Sequence, residues 1–208
     1  MDYKWARDFT LQLINQYSTA GTIVPESYNG QADYIVRIPK LLNNAQVHVA
    51  TTAGKIRTAV PLSNLERREN GEWMIYTMPE DFWQLCSGNI ILGGTEGMMD
   101  RMNFGHIIGS NQLAVPGSVG TDAIVEYYRL PSLLSDEPRE NAELDNTVAA
   151  QMILPYYAAA HLVMQDNTYA YQALMNEFES RLARLVQPTV AVCSTVADAY
   201  GADGWGVG

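Results

Sequence analysis

Three things are scarce in this sequence: cysteine, positive charge and long apolar runs. Only two cysteines, Cys86 and Cys193, occur in 208 residues. Two thiols so far apart make no disulfide framework, and both read as free thiols of a reducing compartment. The 13 lysines and arginines are outnumbered by 23 aspartates and glutamates, for a formal net charge of −10. Nucleic-acid binding draws most of its affinity from cations that neutralise phosphates, so this balance argues against it as the main activity. Anionic membrane surfaces are disfavoured for the same reason. The most apolar stretch, Val148 to Met164, is interrupted by Gln151, Pro155 and His161 and falls short of a membrane span. The N-terminal MDYKWARDFTLQL is mixed and charged, with no apolar signal core. These absences predict a chain that stays in solution and is made in the cytoplasm.

Catalytic signatures are scarce too. His48, His106 and His161 are far apart, and HExxH, CxxC and HxE patterns are absent, so no metal or cofactor is predicted. Gly93-Gly94-Thr95-Glu96-Gly97 follows a strand-like run but lacks the Lys-Ser/Thr of a phosphate-cradling loop, and a hairpin turn accounts for it. Gly117-Ser118-Val119-Gly120 lacks the GxSxG spacing of a nucleophile elbow. Glu80 and Asp81 are adjacent acids, readable as a catalytic pair or as the acidic start of a short helical turn at Phe82. Glu66-Arg67-Arg68-Glu69 beside Asn70-Gly71 reads as a solvated hairpin tip.

What is present is a foldable chain. Its apolar fraction of 47% is ordinary, and at this length folding buries roughly 70% of the surface. Trp5, Phe9, Leu13 and Tyr17 predict a helix over 3–18, followed by a loop over 20–30. Ile35, Ile38, Leu42, Ala45 and Val49 predict a second helix over 33–53, kinked at Pro39 and ended by Gly54. From 55 to 131 short β-branched and aromatic runs alternate with turn signals, which predicts about five strands. The stretch Pro79–Trp83 reads as a tight turn or a single helical turn. A third helix, capped by Asp145-Asn146-Thr147, is expected over 147–164. A very short turn leads to a fourth over 168–186, where Tyr171, Leu174, Phe178, Leu182 and Leu185 make a clear stripe. In the pair Tyr127-Tyr128, strand alternation turns one ring outwards, as an interface anchor or simply as one exposed ring of a packed strand.

The expected fold is α+β: a four-helix bundle, made of two N-terminal helices and a C-terminal helical hairpin, with an inserted β-domain and an extended C-terminal arm. The bundle takes residues 1–54 and 145–187, the β-domain 55–134, an acidic loop 135–144 and the arm 188–208. The arm carries β-branched and aromatic residues where a solubilising tail is polar, so it is expected to dock on a surface.

The order of segments in this chain resembles the head–tail adaptor proteins of tailed bacteriophages, also called connector or head-completion proteins. The residues that carry the resemblance begin with Asp33-Tyr34-Ile35-Val36-Arg37-Ile38-Pro39, Leu41-Leu42-Asn43-Asn44-Ala45 and Ala50-Thr51-Thr52. Met78-Pro79-Glu80-Asp81-Phe82-Trp83-Gln84 and Val125-Glu126-Tyr127-Tyr128-Arg129-Leu130-Pro131 follow. The last run is Leu154-Pro155-Tyr156-Tyr157-Ala158-Ala159-Ala160-His161-Leu162. The similarity covers residues 1 to about 187.

The resemblance implies a structural part of the virion neck and no enzymatic activity. Such proteins form rings, usually of twelve copies, between the portal and a tail or neck protein, and DNA passes through without specific binding. On that footing Val190, Val192, Tyr200 and Trp205 of the arm are expected to bind portal, and Arg67, Arg68, Met98 and Met99 of the β-region to face the tail. Two other readings compete. One is a small hydrolase or nucleotide-binding enzyme, which needs Glu80, Asp81, His106 and Ser118 to converge. The other is a capsid or tail-tube protein, which has more continuous β-structure.

Overall fold

The structure, a computed structural model, describes residues 1–14, 31–93, 99–102, 105–119 and 122–186. Among the described residues two helices come first, α1 (Tyr3–Leu13) and α2 (Gln31–Thr52). Eight strands follow: β1 (Ile56–Pro61), β2 (Arg67–Asn70), β3 (Trp73–Thr77), β4 (Phe82–Gly93), β5 (Met99–Met102), β6 (His106–Ile108), β7 (Gln112–Pro116) and β8 (Ile124–Arg129). The chain then returns to helix in α3 (Val148–Gln151), α4 (Leu154–Val163) and α5 (Thr168–Leu185). None of the described helices is long and apolar enough to cross a membrane.

The strands make two antiparallel four-stranded sheets, in the orders β1-β8-β4-β5 and β2-β3-β7-β6. Alternation along each strand decides what they bury. Val125 and Tyr127 of β8 and Ile90 of β4 point to one side of the first sheet. Tyr76 of β3 and Leu113 and Val115 of β7 point to one side of the second. All six belong to one buried cluster, so the sheets pack face to face as a sandwich. β2 and β3 are joined at Asn70-Gly71, where Gly71 has φ +64°. That left-handed conformation favours glycine. A Gly71→Ala protein is expected to lose about 1 kcal/mol, read by chemical denaturation, because the strain is conformational and a Cβ there meets nothing within 4 Å.

The helices surround α4. Its ten residues, LPYYAAAHLV, bury Leu154, Pro155, Ala158, Ala159, Ala160 and Leu162, so it is apolar nearly all round and must be covered on several sides. α1, α2 and α5 each pack on it, while α1 and α2 barely touch. Leu11, Ile38, Leu42, Val49 and Phe178 join it in a second buried cluster, which also takes in Leu134, Ala142 and Leu144 from the long connection after β8.

The expected four-helix bundle with an inserted β-domain is therefore corrected. The strands form a complete sandwich with its own core and a large part of the architecture. The helices make a shell around one central helix, not four equal partners sharing an axis. The third predicted helix is broken as well: Thr147 caps α3, accepting from the Ala150 N–H, and Pro155 sits in the first turn of α4, where its missing N–H costs nothing. α2 runs through Pro39 without interruption. Gly54 follows it, its N–H donating to Val49 O at 2.8 Å.

Candidate functional site

The β2–β3 hairpin carries a shallow concavity. β2 is an edge strand of sequence RREN, exposed along its length. Arg68 pairs with Ile75 across the hairpin, and Thr77 pairs with Gln112 on β7, so these side chains share the outward face of the second sheet. They line, with Glu66 and Arg67, a shallow groove of about 190 Å³. Ile75 forms its apolar floor and is only 5% exposed. Arg68 Nη2 donates to Gln112 Oε1 at 3.1 Å. The same face carries Trp73 edge-on to His106, ring centroids 5.0 Å apart, and the exposed Ile108.

The outward face of the first sheet has different chemistry. Tyr127 points inwards, and Tyr128, one residue on, points out. Lys55 Nζ lies 4.7 Å from the Tyr128 ring and 5.6 Å from the Trp83 ring, a cation held between two aromatic faces. Arg57 pairs with Glu126. Cys86 is buried beneath this group, and burial pushes its thiol up, away from a reactive thiolate. Inside the sheet, burial and the hydrogen bond it donates to Asp81 push Tyr127 up to about 12.

A third surface lies on the helices. His48, Tyr157, His161 and Tyr171 form a row of rings with successive centroid separations of 6.0, 4.3 and 5.8 Å. Burial lowers the His161 pKa, so the neutral ring is favoured there.

A polar clamp joins the two halves. Arg129 at the end of β8 makes two hydrogen bonds to Asp145, at 2.6 and 2.7 Å, and the Ser132 N–H donates to the same carboxylate at 2.7 Å. The Asp145 N–H donates to Gln46 Oε1 of α2 at 2.9 Å. The Arg129 guanidinium holds the Asp145 carboxyl down at about 2.

The residues singled out by sequence are placed as follows. Arg67 and Arg68 lie at the groove. Met99 opens β5, paired with Gly93. Met98, Gly94 to Gly97, and Val190, Val192, Tyr200 and Trp205 lie outside the described residues. Asp81 precedes β4 of the first sheet and accepts from Tyr127 at 3.0 Å, whereas His106 stands on β6 of the second sheet against Trp73. Glu80 and Ser118 are exposed. Among the described residues no three His, Cys, Asp or Glu side chains are grouped to hold a metal ion. Sequence reasoning missed Asp145 as the partner of Arg129, although it flagged the residue as a helix cap. Proximity of Arg129 and Asp145 has no local signature, since 16 residues separate them. No protein-family model matches the chain, and no curated protein matches its sequence.

Proposed function

We propose that this chain is a structural subunit of a tailed-phage neck, a head–tail adaptor that assembles as a ring between portal and tail and lets DNA pass through. The observation that carries the reading is a body with contact-type surfaces on both of its halves. The sandwich presents Trp73, His106 and Ile108 beside an arginine pair, and the helical half presents Val36, Leu133 and Tyr169. Exposed aromatic and aliphatic side chains of this kind anchor protein interfaces. The order of segments that resembles the adaptor family supports the same reading. So does the net charge of −10, since an acidic wall repels a duplex and lets it slide past.

The test is to mix the purified chain with portal rings of the phage that encodes it and weigh the product by mass photometry. The expected result is portal carrying a fixed multiple of the 23.1 kDa chain. A chain that leaves portal rings at their original mass overturns the proposal.

A further inference from the structure

We propose that the chain binds a second copy of itself head to tail, the exposed Leu133 of one copy seating in the Arg67–Arg68 groove of the next. The inference deepens the ring reading and rests on it for its biological setting, but its evidence is separate.

The knob is built in advance. Leu133 is 60% exposed, yet the backbone on either side is fixed. The Ser132 N–H donates to Asp145 at 2.7 Å. Leu134 N–H donates to the Asn43 side chain and Leu134 C=O accepts from it, both at 2.8 Å. A large apolar side chain held out on an anchored backbone has little conformational freedom left to lose on binding. Two acids follow it, Asp136 and Glu137, both in solvent. Asp136 meets Lys40 at 3.7 Å in a fully solvated pair, and such pairs are weak and easily exchanged.

The groove offers the matching chemistry. Its floor is Ile75, and its lining holds two adjacent arginines against one acid, Glu66. Among the described residues neither arginine has a carboxylate partner, and Arg68 donates there to Gln112. Copies of a chain with net charge −10 repel each other over most of their surface. Attraction concentrates where the arginines meet Glu137 and the readily exchanged Asp136, and here each set stands beside an apolar group. The groove lies on the second sheet and the knob on the connection packed against α2, so the contact joins two different patches. Such a heterologous contact propagates, and it closes into a ring when the rotation between neighbours allows.

Four proteins test this by sedimentation velocity at low and high salt: wild type, Arg67→Glu/Arg68→Glu, Asp136→Lys/Glu137→Lys, and the variant carrying all four changes. All four positions are at the surface, and circular dichroism checks that each protein is folded. Wild type is expected to form species heavier than monomer at low salt that dissociate at high salt. Each double variant is expected to be monomeric, and the four-fold variant, with both charges swapped, is expected to assemble again. A monomeric wild type, assembly that survives in both double variants, or a four-fold variant that fails to recover would each overturn the contact. The two proposals fail separately. Assembly indifferent to these charges removes the contact and leaves portal docking standing. A charge swap that behaves as expected, in a chain that ignores portal, removes the adaptor reading alone.

Discussion

A Phe178→Ala protein is expected to lose about 3–5 kcal/mol of folding stability, the usual cost of emptying a large aromatic site in a core. Phe178 is 0% exposed and is the largest apolar side chain that α5 contributes to the helical core. Its ring stands against Tyr157 at 5.3 Å and His48 at 5.7 Å, so it joins α5 to both α4 and α2. It carries no polar atom, so removal leaves a cavity and no orphaned hydrogen bond. In a chain of this size each kcal/mol moves the melting temperature by roughly 2–4 °C, so the shift is about 10 °C. Thermal denaturation followed by circular dichroism measures it. Because the helical and sandwich cores are separate clusters, Phe178→Ala is expected to lower the melting of the helical signal most. A loss below about 1 kcal/mol would mean that α5 is not seated on α4 as described.

The α5 stripe that contains Phe178 was plainly legible in the sequence. An outer helix buries one face, so Tyr171, Leu174, Phe178, Leu182 and Leu185 repeat at three and four. The Asn70-Gly71 turn was legible for a local reason too, since the φ of +64° at Gly71 is a backbone property. The strand β8 alternates cleanly because one face meets the sandwich core, whereas β7, between two neighbours in its sheet, buries Leu113, Ala114 and Val115 in succession. What escaped lacks that one-sided pattern. β2 reads RREN because it is an exposed edge held by its backbone ladder to β3, with charges that discourage further pairing. β4 runs twelve residues, from Phe82 to Gly93, through Ser87, Gly88 and Asn89, where Gly and Asn are poor strand formers. The register shifts between Leu85 and Ile90, so a bulge absorbs them and the strand resumes. The Pro79–Trp83 stretch was half right: Phe82 N–H closes a turn on Pro79 O at 3.0 Å, and then a strand begins instead of a helix. α4 misled because an apolar run with a proline inside reads as one helix, when the proline stands in the first turn of a new one.

The surfaces were harder to read than the elements. Arg67 and Arg68 read as part of a hairpin tip from their neighbours alone, but they lie along β2, with Arg67 opposite Tyr76 at the end of the hairpin away from the turn. The Ile75 floor beneath them depends on which face of β3 looks outwards, a matter of register across three strands. Leu133 as an exposed knob depends on Asn43, 91 residues from Leu134, gripping the backbone next to it. No window of sequence contains both ends of such a contact.

Asp145 is the second place where one side chain is expected to matter greatly, because it ties the sandwich to the helices. Replacing it by alanine removes both Arg129 hydrogen bonds and the Ser132 contact. It leaves a half-buried guanidinium with only the Leu130 carbonyl, 3.1 Å away. An uncompensated charge and a lost carboxylate acceptor together cost about 2–4 kcal/mol, the lower part applying because Asp145 keeps 27% of its side-chain surface in solvent. The pH dependence separates this pair from packing. The folded carboxyl titrates at about 2 against an ordinary 3.8, so the folded state binds the proton more weakly than the unfolded chain. The stabilisation is therefore complete above about pH 4 and is lost as pH falls towards 2, worth at most about 2 kcal/mol across that window. Urea midpoints measured at pH 6, 4 and 3 are expected to fall over the acid end in wild type. In Asp145→Asn, which keeps the shape and gives up the charge, stability is expected to start lower at pH 6 and fall less. An equal acid slope in both proteins would place the acid sensitivity in other carboxylates. Arg129→Lys sharpens the point: an ammonium keeps the charge but cannot present the two parallel donors, so it is expected to recover only part of the difference between wild type and Asp145→Ala.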